Sequence, residues 1–357
     1  MAHSAIRTGA RTVVLSILTC ALVPSATNVL AAGAHAAKPP RYHVESRIPV
    51  GGEGGWDMVT VDPDGQRLYV THNLRVQVID LSTEHVIGEI PDTPGPHGVA
   101  IAGGLGRGFV SNGRDSSVTV FDSRTLAVIG RIQLEARNPD AIAYDPVSKR
   151  VFTFNGGSGN TTAIDAATSG IIGTLALDGR PEFAVADGKG MIYANLEDES
   201  MVLAIDTQKL QVVSRWPLKP GEEPTGLAID RDHRRLFSGC ANQKLVVLNA
   251  DDGRIVQTLP IGKNVDAVAF DPARQLVFSS NGDGTLTVVH EKDPNHYKVI
   301  QTVSTQPGAR TLALNPTTGS LYLPTAEFGP PPPPTPDRPH PRGSVKPGTF
   351  VILVVRE

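Results

Sequence analysis

With 357 residues, 36 Asp and Glu against 33 Lys and Arg, and a formal net charge of −3 at pH 7, the chain lacks the basic surplus or clustered Lys/Arg that nucleic-acid binding needs. Its 36 Gly and 29 Pro, with no sustained 3.6-residue apolar period past the N-terminus, exclude a helical fold, and two cysteines exclude a disulfide framework. An all-β chain remains.

Residues 1–36 read as a secretory signal: Arg7 and Arg11, an apolar run over 13–23, then small residues to Ala34-His35-Ala36, with cleavage near Ala36. The mature protein is therefore expected in the periplasm or outside the cell. The apolar run is too short to span a bilayer and no later stretch approaches eighteen apolar residues, so no membrane span is expected. Cys240 would be the one cysteine left.

Residues 37–357 are expected to form one domain built from a single repeated unit, seen most clearly at 96–132. Four short apolar runs (99–101, 108–111, 118–121 and 128–132) alternate with Gly, Asn, Asp and Ser, the mark of a four-stranded meander. Seven copies follow one another. Aligned on the residue before the first apolar run, they give the column Asp57, His97, Asp140, Glu182, Thr225, Asp266 and Arg310, at intervals of 40 to 44 residues. One small sheet cannot bury both its faces, and this period predicts a seven-bladed β-propeller of four-stranded antiparallel blades.

The ends of the chain support closure. Residues 39–50 resemble a fourth strand with no first three before it, and the last copy supplies three strands (311–314, 320–323 and 349–355) before the chain ends. The N-terminal strand is expected to complete the last blade, which removes open sheet edges. First strands carry a small residue at their third position (Ala100, Ala143, Ala228, Ala269, Ala313), which places them innermost, where the space between radial sheets narrows.

Turns repeat as well. Asp-Pro or Asn-Pro follows the first strand (Asp62-Pro63, Asp145-Pro146, Asp271-Pro272, Asn315-Pro316), and Asp-x-x-Thr follows the third (80–83, 122–125 and 165–168). These aspartates read as caps of their own turn amides rather than catalytic groups. In the last copy a twenty-residue insertion, 329–348 with the proline run 330–334, interrupts the meander. An extended polyproline segment there would serve as a lid over the axial mouth, with Arg338, His340 and Arg342 near it, or as a docking strip for a partner.

Leu68-Tyr69-Val70-Thr71-His72-Asn73, followed by Val76-Gln77-Val78-Ile79-Asp80, resembles the YVTN repeat of seven-bladed propellers. Residues 41–357 as a whole resemble the YncE family of exported bacterial proteins. The resemblance implies the fold and a periplasmic or surface placement, and it brings no catalytic motif.

Site candidates follow from the column. Asp57, His97, Asp140, Glu182, Asp266 and Arg310 would converge on one mouth of the axial channel and bind a ligand there, joined by His72 and Asn155 from a second ring at the ends of the second strands (His72, Asn112, Asn155, Leu196, Cys240, Asn281, Thr325). Asp57, Asp140, Glu182 and Asp266 are the candidate metal ligands, suited to calcium or magnesium, and His97 is the candidate acid/base. A solvated structural ring, with Arg310 neutralising acids across the pore, stands beside that reading. No Cys-x-x-Cys-His exists for haem, and Trp56 and Trp216 do not give the one-per-blade signature of quinone-dependent propeller enzymes, so neither cofactor is expected. The favoured reading is a non-enzymatic, monomeric exported propeller that binds a small ligand or a cell-envelope protein at the mouth. The alternative is a metal-assisted hydrolase, lactonase or lyase using the same carboxylate/His ring.

Overall fold

In the computed structural model, described for residues 1, 9, 12, 41–333 and 343–357, the apolar runs become seven four-stranded antiparallel sheets. The chain divides into two units, Met1–Pro39 and Pro40–Glu357, and every sheet belongs to the second. Apart from residues 1, 9 and 12, the signal expected over 1–36 lies outside the described residues. No described helix is long and apolar enough to cross a membrane.

Six sheets are consecutive meanders over 56–90, 96–133, 139–176, 181–217, 224–260 and 265–304, blades 1 to 6. Blade 7 takes three strands from 313–356 and its fourth from β1, His43–Pro49, the first strand of the chain. That strand pairs antiparallel with Val351–Arg356, Ile48 opposite Ile352 and His43 opposite Arg356. The fold is a seven-bladed β-propeller, closed as expected.

First strands of neighbouring blades lie against one another all round the ring, which makes them the inner wall. Space there is short: a Cβ on Gly226 would come within 2.8 Å of the Ala267 backbone in the next blade. Side chains also stitch blade to blade. Thr60 Oγ1 donates to Val99 O at 2.9 Å, Thr225 Oγ1 to Val265 O at 2.9 Å and Thr311 Oγ1 to Asp57 O at 2.8 Å.

The core is divided among the blade junctions. Tyr69 and Phe121 meet between blades 1 and 2, and Phe152 and Phe154 face Ile192 and Ala194 between blades 3 and 4. At the closing junction Ile48, Tyr322 and Ile352 pack on Leu68 and Val70. The turn aspartates act as caps: Asp122 Oδ1 accepts from the amides of Arg124 and Thr125 at 3.0 and 2.7 Å and from Thr125 Oγ1 at 3.0 Å.

One strand is shorter than expected. The inner strand of blade 7 pairs with its own sheet only at Ala313–Leu314, not from residue 311. Pro324 in the facing strand has no amide to donate, and Arg310 O accepts instead from Ala267 N of blade 6 at 3.1 Å. The insertion begins and returns as a short stalk, with Phe328 bridged to Val345 and Gly329 N donating to Ser344 O at 2.8 Å. Phe328 packs on Trp56, 5.9 Å between ring centroids. The tip with Arg338, His340 and Arg342 lies outside the described residues.

Candidate functional site

Each inner strand of blades 1 to 6 slips register against its second strand at the column residue or beside it, between Trp56 and Val59, Pro96 and Val99, Pro139 and Ile142, and likewise in blades 4 to 6. A bulge of this kind frees a residue from the ladder and re-aims its side chain. The column is thereby brought to the mouth of the channel.

Three blades meet at His97. Its Nδ1 donates to Asp57 Oδ2 at 2.6 Å and lies 3.4 Å from Asp140 Oδ1. Arg310, from blade 7, sits 3.1 Å from Asp266 Oδ2 and 3.8 Å from Asp57 Oδ1. Glu182 is 3.8 Å from the Arg180 guanidinium, which also holds Glu197. Thr225, the one uncharged member, spends its hydroxyl on blade 6.

Electrostatics tie these groups together. Burial lowers the pKa of His97, but the Asp57 hydrogen bond and the charges of Asp140, Asp57 and Glu182 outweigh it and push it up to about 9. Burial, opposed by His97, raises Asp140 to about 6. Burial with the charges of Asp140 and Asp266 raises Glu182 to about 8. At neutral pH the mouth therefore holds a protonated His97 imidazole and a protonated Glu182 carboxyl.

Beside this ring opens a cavity of about 360 Å³, lined among others by Trp56, Asp57, Asn73, His97, Arg114 and Arg310. Sequence reasoning missed Trp56, Asn73, Arg114 and Arg180, which stand next to the column or on the turns after the second strands. For Asn73 and Arg114 the available signal is their place just after the second strands of blades 1 and 2 (Asn73, Gly113-Arg114).

His72 and Asn155 are placed elsewhere. Residues opposite one another in an antiparallel pair share a face, and His72 is paired with Trp56 and Asn155 with Pro139, each one residue before the column. Both side chains are buried. His72 Nδ1 bonds Gln77 Oε1 at 2.8 Å and its ring lies 4.4 Å from that of Phe350. Asn155 donates to Asn160 Oδ1 at 2.8 Å and Thr162 Oγ1 at 3.1 Å, clamping the third strand, and Asn112 and Asn281 do the same in their blades. The expectation that the second ring faces the mouth is thus corrected for these residues: their side chains are buried and hydrogen-bond within their own blades. Cys240 is buried, and burial pushes its thiol up to about 12.

Of the proposed metal ligands, Asp57 and Asp140 come together with His97, their ligand atoms within 4.8 Å of one another, and could hold a metal ion. Glu182 and Asp266 stand outside that group, turned toward Arg180 and Arg310.

No family model and no curated protein matches the chain. Solved structures do. Hydrazine synthase of Kuenenia stuttgartiensis is similar with a TM-score of 0.68 and 17% identity, over 76% of this chain and 92% of that one. A chain of the mitotic checkpoint complex is similar with a TM-score of 0.71 and 13% identity, over 86% and 96%. At these identities the likeness shows the propeller fold alone.

Proposed function

We propose that the protein is an exported propeller, similar to the YncE family, that binds a small polar ligand at the axial mouth. The observation that carries this reading is the convergence of Asp57, His97, Asp140 and Arg310, from four blades, beside a cavity that also offers Trp56, Asn73 and Arg114. Carboxylates, guanidinium groups, an amide and one aromatic face suit a molecule that presents both donors and acceptors, a polyhydroxylated or zwitterionic one. No nucleophile activated by a base accompanies them among the described residues, which favours binding over covalent catalysis. Secretion through the segment at 1–36 is part of the proposal.

A thermal-shift screen of sugars, polyols, amino acids and betaines tests it. At least one compound is expected to raise the melting temperature of the wild type and to lose that effect in Asp140→Asn. A panel that moves neither protein, or moves both equally, would overturn the reading.

The alternative is metal-assisted hydrolysis of an ester or lactone, favoured by the Asp57–His97–Asp140 group and by a Glu182 carboxyl protonated near neutral pH. One imidazole with two carboxylates suits a transition ion better than the calcium or magnesium expected from four carboxylates. Any ion must displace the proton that the acids hold on His97. Lactone hydrolysis abolished by a chelator and by His97→Gln supports this alternative; metal-independent ligand binding supports the first reading.

A further inference from the structure

A second cluster lies at the far end of the inner strands, about five residues or roughly 16 Å of strand from the mouth. There Asp230 closes the inner strand of blade 5, His233 follows in its turn, and Glu291 arrives from the third strand of blade 6. His233 Nδ1 lies 2.7 Å from Asp230 Oδ2 and 3.1 Å from Glu291 Oε1, and the three ligand atoms fall within 4.8 Å of one another.

Blade 6 departs from the repeat to build this cluster. Its third and fourth strands, Thr285–Asp293 and His296–Ser304, run to nine residues, and Glu291 takes the place next to the neighbouring blade's strand end that Thr207 takes at the junction of blades 3 and 4. Thr207 gives its hydroxyl to Asp145, whereas Glu291 sets a second buried carboxylate against Asp230. Asp230 is 2% exposed and Glu291 0%.

One oxygen is left without a partner. Asp230 Oδ1 is satisfied by the amides of Asp232 and His233, and the Tyr297 hydroxyl donates to Glu291 Oε1 at 3.2 Å. Glu291 Oε2 is buried without a partner. The nearby Arg235 spends its donors on the carbonyls of Pro294, His233 and Arg234 and on Asn295 Oδ1. An unpaired buried carboxylate oxygen of this kind is costly, and it stands beside two further ligand atoms.

We propose that Asp230, His233 and Glu291 form a binding site for a divalent transition ion of the zinc type, which clamps blade 5 to blade 6. A divalent ion with two carboxylates and a neutral imidazole makes a site of zero net charge, and Glu291 Oε2 becomes either a second oxygen ligand or a hydrogen-bond acceptor for metal-bound water. The His233 side chain is 38% exposed, which gives the ion a route from solvent. The site is independent of the mouth and does not rest on what binds there.

Zinc content after equilibrium dialysis of the full chain against Zn²⁺ tests the proposal, with Co²⁺ absorption as a second readout and the variants Glu291→Gln, His233→Gln and Asp140→Asn. Glu291→Gln keeps the shape of the side chain, and circular dichroism of the metal-free forms checks folding. The wild type is expected to hold one equivalent at this site, lost in Glu291→Gln and His233→Gln and retained in Asp140→Asn. Zinc should raise the melting temperature of the wild type by several degrees and that of Glu291→Gln by far less. If the wild type takes up no stoichiometric zinc, or if zinc survives Glu291→Gln and disappears in Asp140→Asn, the proposal is overturned.

Discussion

At His97 the competition between burial and neighbouring carboxylates is won by the carboxylates, and the consequence is a definite pH dependence. Its folded pKa of about 9 lies above the ordinary 6.5, so its contribution to stability is complete below 6.5 and is lost as pH rises through 9. Asp140 and Glu182, raised to about 6 and about 8, also hold protons more tightly when folded. Each therefore destabilises increasingly as pH rises from about 4 to its folded value. All three slopes have one sign. Glu182→Gln removes the largest of the two carboxylate costs, and denaturant unfolding should find it more stable than wild type at pH 9 by roughly 2–4 kcal/mol, with little difference at pH 4.5. Equal stabilities at pH 9 would refute the burial of that carboxyl. The turn aspartates behave oppositely. Hydrogen bonds from Ser82 and Thr83 pull Asp80 down to about 2, so its contribution is present above about 4 and lost as pH falls through 2. Asp80→Ala should lower the melting temperature by a few degrees at pH 7 and leave any mouth ligand's affinity unchanged.

The closing strand β1 carries the element-scale claim. It buries Ile48 between blades 7 and 1, and Tyr42, just before it, packs edge-on against Phe278 of blade 6 at 5.0 Å. Burial of two such side chains is worth about 3–6 kcal/mol, and the strand also covers the backbone edge of blade 7. A chain lacking 41–50 should unfold at a markedly lower temperature and self-associate on size exclusion; a monomer of unchanged stability would contradict the closure. Much of this level was legible beforehand, because a period of 40 to 44 residues and a split last repeat leave few ways to pair strands. The column was legible too, since the residue before an apolar run is recognisable in every copy. Which face a residue takes was not. His72 and Asn155 recur with the same period as Asp57 and Asp140, yet they are buried and bonded to Gln77, Asn160 and Thr162 inside their own blades. Arg180 and Arg114 escaped because turn geometry, not strand period, aims them. The Asp230–His233–Glu291 cluster escaped because its members come from different blades and from the one blade with lengthened strands.

Over the whole molecule, the ring converts distance along the chain into proximity at two ends of one channel. Side chains about forty residues apart, such as Asp57 and His97, touch at the mouth, and Asp230 and Glu291 touch at the far end across a single blade junction. The propeller likeness to solved structures shows the scaffold alone, and function has to be argued from the charged groups at its two ends. The most direct measurement is the titration of the His97 imidazole by ¹H–¹⁵N NMR, assigned with His97→Gln, in the wild type and in Asp57→Asn. The wild-type ring should titrate near 9 and fall by more than one unit in Asp57→Asn. Titration near 6.5 in the wild type, or no change on removal of the Asp57 charge, would show that the blades do not bring these residues together.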